Sequence, residues 1–312
     1  MNKYIYILFF LYLSQTFSAQ ISEAHVLDLI QSKQYSKLET QLVNHVKQFA
    51  QDDQMLEYLG DVYGFQSKWS NAAECYQRLA AAHPKNANYH YKYGGVLGRM
   101  AKEGSKLKAL KLIRQTKALF KTAEQLDPYH LPVQWAQVQL YSELPGFLGG
   151  SYQTAWGHAE QLQQLSKIEG YMAKVYILEK QDRTQIAKQY AQKIVKYHNQ
   201  FPCLNIIQEV EKECEDFDNN LYFGVANAYT LTQGDLSVVE LFLKSYISKY
   251  TTRDRIPIEI AYLKLSEVYI EKNQKDLALD CLNAALLIDS NFEAAMQAKQ
   301  QILSTNRAND SY

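Results

Sequence analysis

The chain has 312 residues, of which 47% are hydrophobic and 21% charged, with 33 basic and 33 acidic side chains and only 13 glycines and 6 prolines. That composition holds enough apolar material for a large core. Formal neutrality leaves no overall field to concentrate nucleic acid or an anionic membrane, and the scarcity of glycine and proline disfavours a turn-rich β fold.

The first residues read Met1-Asn2-Lys3, an apolar run from Tyr4 to Leu13, a polar break at Ser14-Gln15-Thr16 and a small-residue exit at Ser18-Ala19. This is the pattern of a secretory signal peptide, residues 1–19, cleaved after Ala19. The run is shorter than the roughly 20 apolar residues a membrane-spanning helix needs. No cysteine near the cleavage point suggests a lipid anchor, and no second long apolar run follows. The expectation is an exported protein, periplasmic or secreted, with no integral membrane segment once the signal is removed.

From there the chain reads as helix after helix. Ser22–Ser32 and Tyr35–Ala50 form a first pair. Next comes Leu56-Glu57-Tyr58-Leu59-Gly60-Asp61-Val62-Tyr63, then Ala72, Tyr76 and Pro84. The same offsets return at Tyr262, Leu265-Ser266, Tyr269, Ala278, Leu282 and Ala285, with Ser290 in the place of Pro84. A third copy runs through Tyr222, Val225-Ala226, Tyr229 and Phe242, with a turn at Gln233-Gly234-Asp235 and Val238 in the small-residue slot. Such spacing serves packing. Two helices cross closely where Gly60 faces Ala72, or Ser266 faces Ala278, and large neighbours fill the grooves.

On these residues the chain resembles the tetratricopeptide-repeat family. The resemblance implies an all-α fold, a right-handed solenoid of stacked antiparallel helix pairs over residues 20–304, followed by a flexible tail, 305–312. Helix is then expected over more than about 70% of the mature chain, with essentially no sheet, against about a third in ordinary domains. The intervening pairs diverge. A second repeat opens at Tyr93-Gly94 and Leu97 and carries Phe120, Ala123 and Pro128 on its second helix, lengthened around Lys102 to Leu110. A third has Trp135 and Tyr141, then Ala155 and Ala159; a fourth runs from about Gly170 to Asn199. A lone helix is expected over 202–216. It would set Cys203 and Cys214 about 16 Å apart at 1.5 Å per residue, too far for a disulfide, which needs Cα atoms within about 7 Å. Phe292 to Leu303 reads as a closing cap.

In this family first helices line the concave wall. The resemblance therefore implies partner-facing positions at Glu57, Asp61, Phe65, Asn88, Tyr91, Phe223, Asn227, Leu263 and Glu267. They depart from the Lys/Asn/Arg clamp with which chaperone-binding members hold C-terminal carboxylates, so that role is not implied. Between the helices of the third pair, Pro145-Gly146-Phe147-Leu148-Gly149-Gly150-Ser151 has the chemistry of a turn, with Ser151 placed to cap the next helix. Its amides and helix start also suit an anion. Unlike a phosphate loop, it has no Lys-Ser/Thr after its glycines.

Two charge runs stand out. Lys106, Lys108, Lys111, Arg114, Lys117 and Lys121 are a solvated face or a docking face for an acidic partner; Glu209, Glu211, Glu213, Glu215, Asp216 and Asp218 oppose them. The seven histidines form no HExxH or other close zinc spacing, and no Gly-x-Ser-x-Gly elbow occurs. No catalytic, metal or cofactor residue is assigned. The reading is a non-enzymatic scaffold that holds a protein or peptide in its groove. The alternative is a solute-binding accessory of a transport system, in which the long hairpin and the Pro145 loop wall a pocket.

Overall fold

A computed structural model describes residues 21–200, 219–251 and 254–309. Among these residues the regular structure is helical throughout, fifteen α-helices with no strand. In chain order they are α1 (Glu23–Gln31), α2 (Tyr35–Gln48), α3 (Asp53–Phe65), α4 (Trp69–Ala82), α5 (Ala87–Glu103), α6 (Lys106–Leu126), α7 (Leu131–Glu143) and α8 (Tyr152–Leu165). They continue with α9 (Lys167–Lys180), α10 (Thr184–Gln200), α11 (Asn219–Leu231), α12 (Leu236–Lys249), α13 (Ile258–Glu271), α14 (Lys275–Ile288) and α15 (Glu293–Asn309). The lengthened second pair is visible in α5 and α6, 17 and 21 residues against 13 in α3 and 14 in α4. Helix α15 runs through Asn309, into the stretch expected as a tail. The expected 202–216 helix, with Cys203, Cys214 and the acidic run, lies outside the described residues.

The chain divides into two compact units, residues up to Thr116 and residues from Lys117, with the division inside α6. In the first unit Leu38, Leu42, Val62, Ala72 and Leu79 are wholly buried. In the second, Val138, Leu162, Ile177, Leu243 and Leu282 belong to one continuous core. Helix starts are capped where the sequence supplies a short polar side chain. Asp52 accepts from Met55 N–H, Asn86 from Tyr89 N–H and Asp235 from Ser237 N–H.

The repeat residues do what their spacing demands. A Cβ on Gly60 would lie 2.9 Å from Tyr76 Cζ and 3.2 Å from Cys75 Cβ. In the matching pair Ser266 and Ala278 are both fully buried. Alanines four apart, Ala155 and Ala159 on α8 and Ala187 and Ala191 on α10, are fully buried at the crossings of the divergent pairs. Cys75 and Cys281 are buried free thiols, each pushed up to about 11 by burial.

Five of the turns within pairs share one geometry. Lys33, Ser67, Asp182, Gln233 and Asn273 have φ between 54° and 57°. The residue after each donates its N–H back five residues: Gln34 to Leu29, Lys68 to Tyr63, Arg183 to Leu178, Gly234 to Tyr229 and Gln274 to Tyr269, at 2.8–2.9 Å. This is the Schellman ending, which satisfies helix carbonyls at the cost of one left-handed residue. A left-handed residue with a Cβ costs about 1–2 kcal/mol, and glycine escapes that cost but loses more chain entropy on folding. Ser67→Gly is therefore expected to stabilise by roughly 0.5 kcal/mol. Asp182→Gly and Asn273→Gly should do less, because aspartate and asparagine tolerate this region. Chemical denaturation of the three variants checks the order; destabilisation by all three would contradict it.

Candidate functional site

The first-helix residues expected to face a partner are used largely for contacts between repeats. On α3, Asp61 is 7% exposed and accepts from Tyr76 Oη at 2.5 Å. Lys92 Nζ of α5 lies 3.0 Å from Asp61 Oδ1 and 2.5 Å from Glu57 Oε1. Asn88 Nδ2 donates to the same Glu57 oxygen at 3.2 Å. Glu57, Asp61 and Asn88 thus form one ladder between neighbouring first helices. Phe65 is buried against Tyr35, ring centroids 4.9 Å apart. Tyr91 and Leu263 are half-buried and Glu267 is exposed. Asp61 and Phe65 depart from the outward-facing expectation because repeats stack through that face and take these side chains into the interface.

The Pro145 loop is a closed turn. Gly146–Leu148 forms a single 3-10 turn and Gly149 is left-handed at φ 79°. A Cβ on Gly150 would collide with the Leu144 carbonyl. The N–H groups of Leu148, Gly149, Gly150 and Ser151 go to the carbonyls of Pro145, Gly146, Pro145 and Tyr141. Ser151 Oγ caps α8 by accepting from Thr154 N–H. The anion reading is corrected: those amides are spent internally, and the loop turns carbonyls to a cation instead. Lys117 Nζ donates to Leu148 O and Gly149 O, both at 2.9 Å, and lies 5.1 Å from the Tyr141 ring centroid. Burial pulls the Lys117 ammonium below its ordinary pKa. Lys117 is thereby removed from the basic run, while Lys108, Lys111, Arg114 and Lys121 remain exposed.

The second unit holds a pocket of about 530 Å³, counting the space at its mouth. Three first helices build it, each with side chains spaced three or four apart so that one face looks inward. Helix α7 brings Trp135 and Gln139; α9 brings Met172, Tyr176 and Glu179; α11 brings Phe223 and Asn227. Gly224 allows α9 and α11 to approach, since a Cβ there would lie 2.3 Å from Met172 Sδ. Of the nine partner-facing positions expected from sequence, Phe223 and Asn227 are the ones that line it. Met172 and Tyr176 precede the left-handed Asp182 by the same intervals at which Phe223 and Asn227 precede Gln233. That turn register was the signal that would have found them.

The stretch 254–257 ahead of α13 folds back over this face. Its Arg255 Nη2 reaches Glu169 Oε2 at 3.2 Å, and its guanidinium lies 4.3 Å from the Trp135 ring centroid. Trp135 Nε1 donates to the same Glu169 oxygen at 2.5 Å. Glu169 is 3% exposed and sits in the first turn of α9, where the helix dipole favours a carboxylate. The segment is held from beneath as well. Arg255 N–H donates to Asn220 Oδ1 at 2.7 Å, Asn219 Nδ2 to Asp254 Oδ2 at 2.9 Å, and Tyr246 Oη to Ile256 O at 2.5 Å.

Inside the pocket Glu179 accepts from Asn227 Nδ2 at 3.2 Å on both oxygens. Burial raises its pKa, opposed by the Asn227 hydrogen bond and by the charges of Lys264 and Lys180. Tyr176 donates to Glu143 Oε1 at 2.6 Å, and burial, then the Glu143 charge, raise its phenol well above the ordinary value. The walls are mainly apolar and aromatic, with polar atoms confined to a few fixed positions, the usual make-up of a small-ligand or side-chain pocket.

No protein-family model matches the sequence, and no curated protein does. Solved structures do match. A tetratricopeptide repeat protein from Parabacteroides merdae is similar at a TM-score of 0.52 and 12% identity, over 89% of this chain and 96% of that one. A chain from the APC/C hetero-tetramer Cut9–Hcn1 is similar at a TM-score of 0.52 and 16% identity, over 89% of this chain but 48% of that one. With the repeat residues, the shared turn geometry and this likeness together, the chain has the tetratricopeptide-repeat fold.

Proposed function

We propose that the chain is an exported, non-enzymatic scaffold that holds a segment of a partner protein against the first-helix faces of its second unit. The observation that carries this reading is the pocket itself. Three successive first helices of the described pairs present inward faces there, and the stretch ahead of α13 bounds it. A groove built of several short repeats suits an extended segment, because each repeat adds a contact in register. A chain of the same fold occurs in the Cut9–Hcn1 hetero-tetramer. Export rests on the Met1–Ala19 leader; amino-terminal sequencing of the protein from a cell envelope or medium should begin at Gln20.

Site-specific photocrosslinking tests the scaffold reading in the producing cell. A photoreactive residue in place of Gln139, which lines the pocket, is expected to trap a discrete protein adduct. The same group in place of Lys111, exposed on α6, is not. Equal adducts from both positions, or none from Gln139, would remove the basis for the reading.

A further inference from the structure

We infer that the pocket of the second unit is specific for a basic side chain, an arginine or lysine of the bound segment, seated on Glu179 and Asn227. The inference rests on the scaffold reading and deepens it. Its ground is a hydrogen-bond inventory of the wall. Four of the wall's donors are already engaged. Trp135 Nε1 and Arg255 Nη2 go to Glu169, Tyr176 Oη goes to Glu143, and Asn227 Nδ2 goes to Glu179. Acceptors remain. Asn227 is 8% exposed, and its carbonyl oxygen Oδ1 has no partner. Among the described residues Glu179 takes hydrogen bonds from Asn227 alone and has no cation within ion-pair distance, the charges of Lys264 and Lys180 acting on it from further off. A buried acceptor without a donor is costly, and a carboxylate withdrawn from water is stabilised chiefly by a nearby cation. What Glu179 and Asn227 lack is therefore a positively charged donor.

The apolar part of the wall fits the same ligand. Arginine and lysine carry aliphatic stems that bury well against Phe223, Met172 and Ile256 while the charged head finds its partner. The wall already takes one guanidinium, since Arg255 lies over the Trp135 ring at 4.3 Å. An acidic side chain would meet Glu179 with like charge, and a purely apolar one would leave Asn227 Oδ1 without a donor and Glu179 without a cation.

The test is a phage-displayed library of random dodecapeptides selected on the purified mature protein. Enriched peptides are expected to share one position held by arginine or lysine. Replacing that arginine with citrulline in a synthetic copy should weaken binding at least tenfold by calorimetry. On Glu179→Gln, which keeps an acceptor for Asn227, the same replacement should change binding less than twofold. Enrichment of acidic or neutral peptides, or a citrulline penalty that survives in Glu179→Gln, overturns the basic-residue assignment and leaves the peptide-scaffold reading standing. Selection of no peptide at all overturns both. The arginine-to-citrulline comparison on the unaltered protein decides the matter even if the variant does not fold.

Discussion

Glu169→Ala is expected to lower the melting temperature of the second unit by about 6–12 °C. The carboxylate it removes is 3% exposed and receives both Trp135 Nε1 and the Arg255 guanidinium. Removing one partner of a buried pair costs about 3–5 kcal/mol, because the remaining charge stays withdrawn from water. The Arg255 side chain keeps 15% exposure, so the lower end, about 3 kcal/mol, applies here. In a unit of this size each kcal/mol moves the melting temperature by roughly 2–4 °C. Adding Arg255→Met should recover part of the loss, since replacing both members of a buried pair with apolar side chains is tolerated far better than orphaning one. Thermal melts of the single and double variants test this. A single variant that melts within 2 °C of the parent, or a double variant worse than the single, would contradict the account.

The second large effect belongs to the close contact in the first unit. Gly60→Leu must place its Cβ 2.9 Å from the Tyr76 ring and the rest of the side chain beyond it. Tyr76 cannot readily swing aside, being 3% exposed with its hydroxyl held by Asp61 at 2.5 Å. Overpacking of this kind costs about 1–3 kcal/mol, and here it also disturbs Asp61, which Lys92 ties to the next repeat. Loss at one pair thus weakens its interface with the neighbour. Ala278→Leu, on the facing helix of the matching pair and fully buried, should behave alike. Lys111→Leu, on an exposed position, should change stability by less than about 0.5 kcal/mol. Melts of the three proteins side by side give the comparison; Lys111→Leu as the most damaging would mean the repeat register is misplaced.

Residues that set local spacing were legible in the sequence. Leu59-Gly60, Ala72 and Tyr76, and their counterparts near Leu265 and Val225, announce close helix crossings, because only small residues allow them and large ones must flank them. Turn chemistry was half legible. In Gln233-Gly234-Asp235 the glycine draws the eye, yet Gln233 is the left-handed residue, while Gly234 packs against Tyr229. The Pro145 loop read correctly as a turn with Ser151 as cap. The use of its amides did not, since that depends on carbonyls brought together only when the loop closes on Lys117. Phe223 and Asn227, expected as partner-facing positions, line the pocket. Glu169, Trp135 and Arg255 were not legible: Trp135 and Glu169 lie one repeat length apart, 34 positions, but Arg255 reaches Glu169 across 86 positions, off that period. One of the three also sits in an irregular segment, where hydrophobic patterning says nothing.

The Arg255–Glu169 tie has a consequence for how the second unit comes apart. In a stack where each pair touches only its neighbours, opening starts at an end and proceeds one pair at a time, each step costing little more than the last. A bond between residues 86 positions apart breaks that independence. The segment before α13 cannot leave its place without releasing α7 and α9. Amide hydrogens in the tied helices should then exchange through one shared opening, while α14 and α15 beyond it exchange by fraying. The same closure must be reached during folding before its contacts reward it, so this unit forms more slowly than a purely nearest-neighbour array of equal length.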